Sequence, residues 1–161
     1  LALLVAIGLA TVLGRPLSNN DLFVKYMKPY ELVLTNRSVE SETVQLWMNK
    51  AQDRFHKGEF EEAIDCFEEV LEINSNKVEA DFYMGISYME IDQHSDASKS
   101  FTRVIEHNDN LYIQKAEWYL AGCLLAMDET DRARRQLGMI ASSANHYYKD
   151  DAAKILKRMK R

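Results

Sequence analysis

The chain has few of the residues that build reactive centres or crosslinks. Its two cysteines, Cys66 and Cys123, belong to no Cys-x-x-Cys pair. That excludes a thiolate zinc site or dithiol redox motif and predicts buried free thiols. The four histidines, His56, His94, His107 and His146, form neither a His-Glu-x-x-His motif nor a close pair, and read as turn or surface residues. The six glycines are scattered, so no phosphate-cradling loop exists, and no serine sits in a Gly-x-Ser-x-Gly elbow. Both prolines, Pro16 and Pro29, fall near the start, which leaves everything after Pro29 free of the strongest helix breaker. The net charge of −5 lacks the basic face that nucleic acid requires. Residues 149–161 hold six basic and two acidic side chains, so the rest of the chain carries −9 once their +4 is removed. The composition thus predicts no enzyme, no cofactor, no metal and no nucleic-acid partner.

What is present is a period of 34 residues. With Val44–Lys77 set above Val78–Leu111, Ala51 falls on Gly85, Ala63 on Ala97, Phe67 on Phe101 and Val70 on Val104. A third copy, Gln114–Tyr147, follows a two-residue insertion at Tyr112 and Ile113, with Ala121, Ala133, Leu137 and Ile140 in the same slots. Small residues where two helices cross let them approach closely, and the bulky residues fill the gap to the next copy. A unit of this length cannot bury its apolar face alone, so neighbours must stack, and about three are needed. Apolar residues at 47% suffice for a continuous core.

The pattern resembles the tetratricopeptide repeat (TPR) family. Trp47, Ala51, Gly58, Phe60, Ala63, Phe67 and Val70 carry the motif in the first copy. Tyr83, Met84, Gly85, Tyr88, Ala97, Phe101 and Val104 carry it in the second. Trp118, Tyr119, Ala121, Ala133, Leu137 and Ile140 carry it in the third. The chain departs from the motif at Asp81, where a large residue is usual, at Asp92 and Asp128 in place of the turn glycine, and at Ser75 and Asp109 in place of the closing proline. The resemblance implies an all-α fold, a right-handed α-α superhelix (solenoid) of about three TPR helical hairpins (44–77, 78–111, 114–147) with a C-terminal capping helix over 148–161. In that cap, Ala152, Ile155, Leu156 and Met159 form one stripe, and Asp150, Asp151 and the basic end suit the helix dipole.

Residues 1–14, LALLVAIGLATVLG, carry no charge. Segment 1–16 reads first as part of a transmembrane helix, and otherwise as a signal-peptide core or a buried helix, since a full span takes about 20 apolar residues. Residues 17–43 form a connector. Its polar start predicts a helix beginning near Asp21, ended by Pro29, before an extended apolar run Tyr30–Leu34. The spacing Phe23-x-x-Tyr26-x-x-Pro29-Tyr30 is similar to a stretch between the membrane helix and the repeats of bacterial membrane-anchored TPR proteins. That similarity implies a membrane-anchored protein of the bacterial envelope with its repeats in the periplasm.

The family resemblance also implies a concave face lined by the first helix of each hairpin. On this chain that face is Met48, Gln52, Phe55, Phe82, Ile86, Met89, Trp118 and Leu125, with His56, Glu79, Glu90, Lys115 and Gly122 beside them. It predicts an apolar trough for a peptide or helix of a protein partner. Met48 and Gln52 replace the lysine and asparagine of the family's basic clamp for a carboxylate terminus, which argues against chaperone-tail binding. The alternatives are a groove filled by the chain's own residues 22–34, self-assembly into a homo-oligomer, or an accessory role in an envelope enzyme or transport complex. The acidic run Glu59, Glu61, Glu62, Asp65, Glu68, Glu69 and Glu72 reads as a solvated outer face.

Overall fold

A computed structural model describes residues 16–27, 41–108 and 110–159. Those residues form eight helices: α1 (Asn19–Tyr26), α2 (Glu42–His56), α3 (Phe60–Ile73), α4 (Val78–Glu90), α5 (His94–Glu106), α6 (Ile113–Ala126), α7 (Thr130–Ser142) and α8 (Lys149–Arg158). No helix among them is long and apolar enough to cross a membrane. The uncharged stretch 1–14, and with it the expected membrane segment, lies outside the described residues, as does 28–40 of the connector.

Helix starts follow local chemistry. Ser18 caps α1 in a reciprocal box: its hydroxyl accepts the Asp21 N–H at 3.1 Å while the Asp21 carboxylate accepts the Ser18 N–H at 3.3 Å. The cap thus comes from the polar run, at Ser18, and α1 begins at Asn19, two residues before Asp21. Ser41 caps α2 by accepting the Val44 N–H at 3.3 Å.

Inside each hairpin the turn reverses through a residue with left-handed backbone: Gly58 at φ 75°, Asp92 at φ 60° and Asp128 at φ 57°. The two aspartates thus adopt the conformation that glycine takes in the first repeat. A side chain there meets its own carbonyl, and aspartate tolerates this better than most. Gly58→Ala is expected to lower stability by about 1 kcal/mol and Asp92→Gly to raise it by roughly 0.5 kcal/mol. Urea unfolding followed by circular dichroism reads both, and a neutral Gly58→Ala would show that the turn conformation is unimportant.

α2 packs with α3, α4 with α5, α6 with α7, each pair with the next, and α8 covers α7, an α-α superhelix. The repeat slots are buried in all three copies: Ala51, Gly85 and Ala121; Ala63, Ala97 and Ala133; Phe67, Phe101 and Leu137; Val70, Val104 and Ile140. A methyl group on Gly85 would lie 2.8 Å from the Phe101 ring, so glycine there is a packing requirement. Phe101 stacks on Tyr119 at 5.6 Å and meets Phe82 edge-on at 6.0 Å, tying the second hairpin to the third.

The departures from the motif are compensated. Asp81 is 1% exposed and receives Arg103 Nε from α5 at 2.6 Å, while Arg103 also donates to the Ser100 hydroxyl at 3.2 Å. In the third hairpin the equivalent Glu117 binds His146 Nε2 at 3.0 Å, and Gln136 Nε2 donates to the Glu117 carbonyl at 3.3 Å. His146 lies in a loop as expected but is buried, not superficial. Its Nδ1 accepts the Tyr148 N–H at 3.1 Å, which places the ring proton on Nε2, facing Glu117. An acid paired across the hairpin thus replaces the bulk of Trp47 in the first copy.

Candidate protein-binding face

The eight residues expected to line the concave face all lie on α2, α4 and α6, but the structure divides them. Met48, Phe82, Ile86, Trp118 and Leu125 are buried, whereas Gln52, Phe55 and Met89 are half-buried. Phe82 stacks on Tyr112 at 4.7 Å and Trp118 lies flat on Tyr148 at 4.7 Å. Phe55 meets Phe60 and Tyr83 edge-on. Near the end of α4, burial and then Asp92 push the Glu90 carboxyl above its usual range.

Part of this face is occupied by the chain itself. α1 packs on α6. Leu22 is fully buried, and Met27 covers Gly122 so closely that an added Cβ there would sit 2.9 Å from Met27 Cγ and 3.0 Å from its Sδ. Asn19 Nδ2 donates to Thr130 Oγ1 at 2.6 Å and to Asp128 Oδ1 at 3.2 Å, at the turn after α6. Leu17 N–H donates to the Arg158 carbonyl at 3.0 Å and forms a parallel bridge with Met159. Asn19 meets the turn after α6 and Met27 meets Gly122 within α6, so the N-terminal end of α1 lies at the C-terminal end of α6.

Phe23 rests edge-on against His94 at 5.1 Å. His94 Nδ1 is buried with no hydrogen-bond partner among the described residues, and burial pulls the imidazole below its usual range, against the exposed Asp92 carboxylate nearby. The neutral ring is the form this seat accepts.

Sequence reasoning predicted the helix α1 but missed His94, Asp128 and Thr130 as its seat. The one legible signal was Gly122, because a glycine in mid-helix costs about 1 kcal/mol against alanine and so hints at a close approach. A second depression, a cleft of about 600 Å³, is lined by Asn110, Leu111, Gln114, Lys115, Tyr147 and Tyr148, with Leu111 at 86% and Tyr147 at 83% exposure on its rim. Burial pushes the Cys123 thiol up to about 12, so it is an inert core group at neutral pH. Glu61, Glu62, Asp65, Glu68, Glu69 and Glu72 are exposed on α3, as a solvated face requires, whereas Glu59 at its start is half-buried and accepts Arg54 Nη1 at 2.6 Å. No group of three or more metal-ligating side chains is found among the described residues.

Two family models described as tetratricopeptide repeat match the chain, over residues 44–77 and 79–110. No curated protein matches it in sequence. Among solved structures, the MamA protein is similar at 26% identity and a TM-score of 0.63, covering 73% of this chain. The chain spans 62% of the length of that structure. The first TPR of Spaghetti (RPAP3), bound to the HSP90 peptide SRMEEVD, is similar in fold at 16% identity and a TM-score of 0.60, covering 74% of this chain and 95% of that one. The type III secretion translocator chaperone SycD of Yersinia enterocolitica is similar in fold at 17% identity and a TM-score of 0.60, covering 74% and 85%.

Proposed function

Because this chain belongs to the tetratricopeptide repeat family, we propose that it is a non-enzymatic protein-interaction module that receives a peptide or helix on its concave face. The observation that carries this reading is the seat of α1: a short helix already lies on α6 through Leu22 and Met27. A surface that accepts a helix from its own chain has the shape and polarity to accept one from another. The structures similar in fold include one bound to a peptide and one described as a chaperone, which supports the same reading. The uncharged residues 1–14 tether the array to a membrane in this proposal, with the repeats on the periplasmic side.

The test is site-specific photo-crosslinking of the full chain in isolated membranes. A photoreactive group at Gln52 or Met89, both half-buried on the proposed face, is expected to yield one discrete protein adduct; one at Glu62 on the outer face is not. Adducts from Glu62 alone, or from none of the three, would overturn the groove. A chain absent from the membrane fraction would overturn the tether.

A second reading, a groove filled by the chain's own residues 22–34, is favoured by the same contacts for 22–27, while 28–34 lie outside the described residues.

A further inference from the structure

The order of α1 depends on its cap and on its seat. It has eight residues, and isolated helices shorter than about 12–15 residues are marginal in water. Its buried anchors are Leu22 and Met27. Elements held by few buried anchors open at the lowest free energies in a fold. Phe23, beside the first anchor, places its ring against His94 at 5.1 Å.

His94 is the first residue of α5, and its side chain is 15% exposed. Its Nδ1 is buried and has no hydrogen-bond partner among the described residues. In a neutral imidazole with its proton on Nε2, only an acceptor goes unused there. Protonation turns Nδ1 into an N–H donor, and a buried donor left unsatisfied carries its full desolvation penalty. The phenyl ring of Phe23 has no acceptor to offer it. The N-terminus of α5 also carries partial positive charge, which opposes a further one.

The charges around the ring do not reverse this. Asp92 stands 3.7 Å from Nε2 and favours the charged ring, but it is 93% exposed and burial outweighs it. On α1, Asp21 is engaged in the Ser18 cap and Lys25 lies over the Tyr26 ring at 5.7 Å. Glu90, at the end of α4, is raised by burial and holds its proton longer than usual. Asp96 of α5 pairs with Lys99. Asp128, in the turn after α6, accepts from Asn19. The charged residues of α6, Lys115 and Glu117, lie near its start, and Glu117 is held by His146.

We propose that His94 is an acid-sensitive latch for α1: the neutral ring seats Phe23 and holds the helix on α6, and the protonated ring releases it. Lifting Phe23 away with α1 opens the imidazolium to water. The sign follows from linkage. The ring is depressed when α1 is seated and returns to its ordinary range when α1 is detached. Its support for the seated helix is complete above about pH 6.5 and is lost as the pH falls through the seated-state value. Acid therefore bares Gly122, which Met27 covers at neutral pH. The latch is a property of this chain alone and does not depend on what the array binds.

The experiment is hydrogen exchange of the full chain at about pH 7.5 and about pH 5, which bracket the ordinary imidazole range. Mass spectrometry reads it, and protection factors cancel the intrinsic pH dependence of exchange. The α1 amides are expected to lose protection on acidification by about threefold or more. The limit is about thirtyfold, set by a detached ring of ordinary pKa. The α4 amides are expected to keep theirs. His94→Phe leaves an apolar ring against Phe23 but no proton, so α1 protection should be equal at both pH values. His94→Gln serves the same purpose should circular dichroism show that the phenylalanine variant has lost helicity.

Linkage is reciprocal, so detaching α1 must raise the midpoint of the ring. Nuclear magnetic resonance follows the His94 ring, identified by its absence from His94→Gln. The comparison is between the wild-type chain and Leu22→Asp with Met27→Asp, which detaches α1. The midpoint is expected to be higher in the detached chain. Unchanged α1 protection on acidification overturns the latch, as does a loss shared equally by α4. So does a loss that survives the His94 substitutions, or a ring midpoint that is the same with α1 seated and detached.

Discussion

Phe101→Ala is expected to destabilise the array by about 3–5 kcal/mol, a large share of the stability of a domain this size. The ring is fully buried, stacks on Tyr119, meets Phe82 edge-on and fills the space left by the absent side chain of Gly85. Removing it opens a cavity at the junction between two hairpins, and in a stacked array a weak junction uncouples the repeats on either side. Chemical unfolding should therefore shift to lower denaturant and lose cooperativity, with a lower slope than the wild-type chain. A change below 1 kcal/mol would mean that the junction relaxes into the cavity and that the shared slot is not an anchor.

Gly85→Ala supplies the complementary control. Alone, the new methyl group meets the Phe101 ring at 2.8 Å, and overpacking of this kind typically costs about 1–3 kcal/mol, offset by about 1 kcal/mol of helix propensity. Combined with Phe101→Ala, the clash is gone and only the propensity gain remains. The two changes should then be non-additive by about 1 kcal/mol or more, which a double-mutant cycle measures.

Arg103→Met is the second large effect. It strands the buried Asp81 carboxylate, and loss of the partner of a buried charged acceptor costs about 1–3 kcal/mol near pH 7, below the range for fully buried pairs because Arg103 is 45% exposed. The pH dependence has a definite sign. Burial pushes the Asp81 carboxyl above the usual carboxylate range, while the hydrogen bond and charge of Arg103 pull it back. A folded-state pKa above the unfolded one means that the folded chain holds the proton longer. The contribution of Asp81 is therefore complete below about pH 4 and is lost as the pH rises through the raised value. Without Arg103 that value climbs further, so the variant should lose more stability between about pH 4 and 7 than the wild-type chain does. Asp81→Leu in the same background should restore most of the loss, since a leucine approaches the bulk that Trp47 provides in the first repeat. A deficit equal at pH 4 and pH 7, or no rescue, would assign the effect to lost packing of the Arg103 stem.

The spacing alone determined the architecture. Ala51, Gly85 and Ala121 recur with Phe67, Phe101 and Leu137 because close helix crossing and gap filling are local demands repeated every 34 residues, and a period survives in sequence whatever the partner. The turn aspartates were legible as departures, and the structure shows that they adopt glycine's backbone without changing the hairpin. The candidate face was legible only as a set of positions. Which of its members are open depends on residues brought together from distant parts of the chain. Trp118 is buried beneath Tyr148, Phe82 beneath Tyr112, and Gly122 beneath Met27, 95 positions earlier in the chain. No periodicity encodes such pairs. The pairing of Asp81 with Arg103 and of Glu117 with His146 was hidden for the same reason: an acid in a large residue's slot looks like a defect until the fold supplies its hydrogen-bond partner. Backbone geometry and hydrophobic period are properties of neighbours along the chain. The occupancy of a surface belongs to neighbours in space, and only the tertiary structure brought α1 onto α6.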